Sequence, residues 1–129
     1  MKTIPLLLAI LLLAGCSKEG DNCSQYGWVN IVGAKYMGKS TSDARGQNGA
    51  FYDVSCTFPN SCYAINKIVE IRDKDTVLLK AEYIYNTCTV CTQAFTTQTK
   101  TYSFIPADNG TYYLKWEGIP NRVDTVKIP

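Results

Sequence analysis

The stretch Val77-Leu78-Leu79-Lys80-Ala81-Glu82-Tyr83-Ile84-Tyr85 sets the fold class. Val77, Leu79, Ala81, Tyr83 and Tyr85 alternate with positions that include Lys80 and Glu82, a period of two that puts one face of a β-strand on a core. Working back toward the N-terminus, Asp73-Lys74-Asp75 is a turn that makes a hairpin with a strand over Tyr63 to Ile71, with Ile65, Val69 and Ile71 expected on one side. Pro59-Asn60 turns the chain again, and before it Phe51 to Phe58 carries Tyr52, Val54, Cys56 and Phe58 on one face. A first strand is expected over Trp28 to Val32, followed by a Gly/Ser-rich loop that runs from Gly38-Lys39-Ser40-Thr41-Ser42 to Gly46-Gln47-Asn48-Gly49. Toward the C-terminus, a threonine-rich strand from about Thr92 to Ile105 has only Phe95 as an early apolar residue and reads as a sheet edge. Thr111 to Glu117 and Val123 to Ile128 complete about seven strands. No segment carries a helical i, i+3, i+4 stripe of useful length. The expectation is an all-β, antiparallel β-sandwich over residues 26–129.

Asp108-Asn109-Gly110-Thr111-Tyr112-Tyr113-Leu114 resembles the D-x-G-x-Y-x-C segment that opens strand F of immunoglobulin-like domains, with Leu114 where the cysteine would stand. The resemblance implies an immunoglobulin-like topology in which the Tyr112 hydroxyl bonds back to nearby backbone, with Asp108 and Gly110 shaping the corner. It also implies no inter-sheet disulfide at that position.

The first fifteen residues have a different character. Lys2 precedes an almost wholly apolar run from Ile4 to Leu13, interrupted only by Pro5. Ten positions are too few for a bilayer-spanning helix, which needs about 20, so the run reads as a signal segment and is left out of the fold. Leu13-Ala14-Gly15-Cys16 closely resembles the lipobox of bacterial lipoproteins. That resemblance implies cleavage before Cys16, acyl chains on its thiol and new amino group, and attachment to a membrane. Residues 16–25 then form a lipidated cysteine and a polar tether. Ser17, in place of an aspartate, is unlike the signal that retains some lipoproteins in the inner membrane. Lys18-Glu19 with Asp21 is similar to the charged export tag of surface lipoproteins from Bacteroidetes. The expected location is the cell envelope, lipid-anchored in the outer membrane on its periplasmic or its surface face.

Export puts the remaining cysteines, Cys23, Cys56, Cys62, Cys88 and Cys91, in an oxidising compartment, where disulfides are the ordinary outcome. Five cysteines leave one spare, and four can pair in three ways, so fifteen two-bridge schemes are open. Cys62 with Cys91 is favoured, because each lies at a strand edge and the loop between them is long. A second bridge would join Cys88 to Cys56 or to Cys23. Cys88-Thr89-Val90-Cys91 has the C-x-x-C spacing of thioredoxin-like and zinc sites, but no βαβ pattern surrounds it. Its only zinc complement, Cys56 and Cys62, is spaced C-x5-C. Structural bridges are expected, and neither a metal nor a cofactor is implied.

The chain has no histidine. That removes the commonest general base and the Ser-His and Cys-His nucleophile pairs. The 11 acids are scattered, with Asp73 and Asp75 on a hairpin tip, and no glycine pattern matches a phosphate-binding loop. Net charge is +2 with both signs interspersed, which gives no footprint for nucleic acid. Trp28, Trp116 and nine tyrosines are the groups able to meet a glycan or a protein, with Tyr113 outward by alternation from Tyr112 and Leu114. Asn60-Ser61-Cys62-Tyr63, Val90-Cys91-Thr92-Gln93 and Gly110-Thr111-Tyr112-Tyr113-Leu114 together resemble a group of small Bacteroidetes lipoproteins, a resemblance that implies fold and location and no activity. The expectation is a non-catalytic, membrane-anchored binding or accessory module for a protein partner, with a carbohydrate-binding module of a polysaccharide-uptake system as the alternative.

Overall fold

A computed structural model describes residues 22–40 and 48–129. The signal segment, Cys16 and most of the tether lie outside the described residues. Eight strands form two sheets, and no helix occurs among the described residues: β1 (Ser24–Val29), β2 (Gly33–Ser40), β3 (Gly49–Phe58), β4 (Tyr63–Asp73), β5 (Thr76–Asn86), β6 (Thr96–Phe104), β7 (Gly110–Trp116) and β8 (Val123–Ile128).

The diagnostic stretch is the centre of the larger sheet. β5 pairs antiparallel with β4 along its whole length, from Tyr63 opposite Tyr85 to Asp73 opposite Thr76. Its other side is shared: Thr76 to Leu79 pair with Tyr113 to Trp116 of β7, and Ala81 to Asn86 pair with β1. β8 continues the sheet beyond β7. The smaller sheet has the order β2-β3-β6. Val77, Leu79 and Ala81 of the first sheet and Val54, Cys56 and Phe58 of the second are almost fully covered, and Leu114, Trp116, Phe104 and Ile128 complete the core. Burying each of the larger side chains contributes roughly 1.5 to 3 kcal/mol.

Three features differ from the sequence reading. The β5–β7 ladder is parallel, so the sandwich is not antiparallel throughout. A strand, β2, follows the first one and takes in the start of the expected Gly/Ser-rich loop, making eight strands rather than about seven; the first strand is Ser24–Val29 rather than Trp28 to Val32, and β6 begins at Thr96 rather than about Thr92. Ala34 and Tyr52 sit on the sheet's inner side, but Gly33, Gly38 and a bulge between Tyr36 and Gly38 hide the alternation along β2. A second bulge, between Ile65 and Lys67 in β4, exchanges the two faces for the rest of that strand. Ile68 and Glu70 therefore share the side of Ile65, while Val69 and Ile71 turn outward, Ile71 to half exposure.

The second bulge puts polar groups at the open corner between β4 and β6. The Tyr102 hydroxyl donates to Glu70, Arg72 grips the same carboxylate at 2.9 Å, and its guanidinium lies 5.4 Å from the centre of the Phe104 ring. Burial first, and then Glu70, push the Tyr102 hydroxyl far above the usual tyrosine range. The Gln98 amide fills the same gap nearer the cysteines, donating to the Tyr63 carbonyl and accepting from the Ile65 N–H at 3.4 Å. Inward-pointing charged and polar groups keep a strand edge from pairing with another chain.

Candidate functional site

The cysteines gather at one end of the sandwich, where β3 and β5 finish and β1, β4 and β6 begin. Cys62, just before β4, is bridged to Cys91, with Cα atoms 5.3 Å apart. Cys23, just before β1, is bridged to Cys88, with Cα atoms 5.2 Å apart. The two cysteines of the C-x-x-C thus hold different partners, and the second bridge takes Cys23, leaving Cys56 free. Cys56 faces the core from β3, and burial pushes its thiol up to about 11. The bridges and a few backbone contacts hold the 87–95 segment: Ser61 N–H to Thr92 O at 3.1 Å, Thr92 N–H to Ser61 Oγ at 2.8 Å, and Thr87 N–H to Cys23 O at 2.8 Å. Beneath it, Tyr63 stacks on Phe58 and touches Tyr83 and Tyr85. Tyr83 covers Gly27 of β1 so closely that a Cβ there would lie 2.5 Å from its hydroxyl oxygen, which is why that strand carries a glycine at an inward position.

The corner residues meet at the opposite end. The Tyr112 hydroxyl donates to the Asp108 carbonyl oxygen at 2.6 Å. Gly110 holds φ at +153°, a value that side-chain-bearing residues rarely adopt. Tyr112 also packs edge-on against Phe104 of the other sheet, joining the turn to the core.

A cleft of about 510 Å³ opens where the edge strands β2 and β8 face each other. Arg122 grips Asp124 through Nε at 2.9 Å and Nη2 at 2.9 Å and also donates to the Ala34 carbonyl, tying β8 to β2. The Trp116 indole donates to the same carboxylate at 3.2 Å. Tyr52 forms the floor, and burial, with Asp124 and Tyr36 adding to it, pushes its hydroxyl up to about 12. The half-exposed Tyr36 ring packs edge-on against Tyr52, and Lys39 and Lys127 also line the cleft. The sequence reading counted Trp116 and the tyrosines among the groups able to meet a ligand, but it named none of Arg122, Asp124, Lys39 or Lys127 and gave no sign that these side chains meet. Asp124 and Arg122 were separable from other scattered charges only through strand pairing, which a linear pattern does not carry.

The exposed aromatics lie elsewhere. Tyr26 and Trp28 project from the outer face of β1, and the Lys80 ammonium stands 4.4 Å from the centre of the Trp28 ring. Tyr113 faces outward from β7 and is 41% exposed.

A family model for the ORF11 β-sandwich domain matches residues 52–128, more than half of the chain. The chain belongs to the ORF11 β-sandwich family. The match runs from the fourth residue of β3 to the end of β8, so this ORF11 β-sandwich contains Cys56, Cys62, Cys88 and Cys91 within the matched span, and β1, β2 and Cys23 outside it. No curated protein and no solved structure matches the chain.

Proposed function

We infer that this ORF11 β-sandwich is a non-catalytic lipoprotein of the cell envelope, held to the outer membrane by acyl chains on Cys16 and offering its domain to a protein partner as a binding or accessory module. The observation that carries this reading is the lipobox-like Leu13-Ala14-Gly15-Cys16 standing seven residues before Cys23, the residue that is bridged into the sandwich. Acyl chains contribute about 0.8 kcal/mol for each buried CH₂, so two or three of them hold a domain of this size firmly. The lack of histidine argues against acid–base or nucleophilic catalysis. The cysteine and aromatic motifs support kinship with small Bacteroidetes lipoproteins.

Photo-crosslinking in intact cells tests the partner. A crosslinkable residue at Lys74, on the β4–β5 turn far from the tether, should yield one adduct of fixed mass; repeated recovery of the bare chain contradicts the reading. A carbohydrate-binding role is favoured by the cleft of Tyr36, Tyr52, Arg122 and Asp124, since an exposed ring beside a fixed guanidinium–carboxylate pair suits a sugar's face and hydroxyls. Trp116, bonded to Asp124, would report occupancy through its fluorescence. A flat titration across a broad glycan panel removes that second reading.

A further inference from the structure

Among the described residues, the two most exposed large apolar side chains are Val90, 97% exposed, and Phe95, 83% exposed. Both belong to the segment that Cys88 and Cys91 staple to Cys23 and Cys62. Two large apolar side chains fixed by bridges on one short exposed segment are a candidate contact for something apolar.

Charge makes the same end distinctive. No Asp, Glu, Lys or Arg occurs in residues 22–34, 54–66 or 83–99, the three stretches that build the cysteine end. The opposite end is studded with charge at Arg72, Asp73, Lys74, Asp75, Asp108 and Lys127. An uncharged protein end tipped with apolar side chains has the chemistry of a surface that rests in the interfacial layer of a bilayer.

Chain length brings the bilayer within reach. From Cys16 to Cys23 are seven residues, which even fully extended span at most about 25 Å. Tyr26, 57% exposed, lies two residues into β1, where a ring with an apolar body and a polar tip would meet the headgroups. Trp28 lies about 13 Å along the strand from Ser24, clear of that layer, and its contact with Lys80 suits a site in water.

We propose that the disulfide-stapled end of the sandwich lies on the membrane that carries the lipid anchor, with Val90 and Phe95 entering the apolar boundary and Tyr26 at headgroup level. This rests on the acylation of Cys16. It sets the orientation of the whole domain: the charged end, with the Asp73–Asp75 hairpin and the Tyr112 corner, faces away from the bilayer toward partners.

The test uses the full acylated chain in vesicles of phosphatidylcholine brominated on its acyl chains. Phe95→Trp and Val90→Trp are compared with Tyr113→Trp as a control outside the contact, each read against the parent, which retains Trp28 and Trp116. The expected result is that the new emission in the first two moves to shorter wavelength and is mostly quenched by bromine, while the Tyr113→Trp emission is unaffected. A second measurement, proteoliposome release into acceptor vesicles, should be faster for a Val90→Asp/Phe95→Asp chain with unchanged denaturation midpoint. Mass spectrometry of the N-terminal peptide separates the failures. An acylated chain whose Phe95→Trp emission stays unquenched overturns the membrane contact alone, including the case in which these side chains serve a protein partner instead; a chain without acyl mass overturns the anchor and the contact together.

Discussion

Replacing Cys62 and Cys91 together by alanine removes a crosslink between residues 29 apart. Freeing a loop of that length raises the entropy of the unfolded chain enough to cost about 3.6 kcal/mol at 25 °C. The same relation gives about 4.3 kcal/mol for Cys23–Cys88, whose residues are 65 apart. The native contacts around Ser61 and Thr92 are backbone and hydroxyl hydrogen bonds that do not need the sulfurs, so the folded end should keep its shape. Urea unfolding followed by the emission of buried Trp116 reads the loss. With a slope of about 1 to 3 kcal/mol per molar urea, the midpoint should fall by roughly 1.2 to 3.6 M. Thiol titration supplies the control: in the oxidised parent Cys56 reacts only once the chain unfolds, because it is fully covered and burial disfavours its thiolate. A midpoint shift under about 0.3 M, or a thiol reagent reacting with Cys23, Cys62, Cys88 or Cys91 in the folded parent, would refute the bridge assignment.

Two other outcomes depend on single hydroxyls. Tyr112→Phe deletes the bond to the Asp108 carbonyl and should destabilise the chain by about 1 kcal/mol in the same urea assay; no measurable change would remove the corner as a stabilising device. Tyr52 binds its proton more tightly folded than unfolded, so its contribution is complete below pH 10 and is lost as pH rises toward about 12. Stability measured from pH 9 to 12 should therefore fall further in the parent than in Tyr52→Phe, by about 1 to 2 kcal/mol with solvent screening in the open cleft allowed for, and parallel curves would contradict the burial of that hydroxyl.

The fold was largely legible because the strands that form the centre of each sheet bury one face cleanly. Tyr52, Val54, Cys56 and Phe58 in β3, and Val77, Leu79 and Ala81 in β5, keep strict alternation and all lie in the core. What the pattern concealed came from bulges. One extra residue near Asn66 exchanged the faces of Val69 and Ile68, and another at Met37 blurred β2 into the loop after it. The parallel β5–β7 pairing was equally hidden, since β7 takes only half of one side of β5 and β1 takes the rest. The cysteine end was legible in outline: the Cys62–Cys91 bridge was expected, although Cys91 stands in the 87–95 segment rather than at the edge of β6, and the choice between Cys23 and Cys56 turned on Cys56 facing the core from β3. The Arg122–Asp124 cleft left no linear trace, because its parts come from β2, β3 and β8 and meet only across two sheet edges.

Acylation of Cys16 is the claim from which location, tether and orientation all descend. Metabolic labelling of growing cells with an alkyne-bearing palmitate, then fluorescent detection of the purified chain, measures it directly. The account predicts a labelled native chain that enters the detergent phase and an unlabelled Cys16→Ser chain. An unlabelled native chain that partitions into the aqueous phase would contradict it.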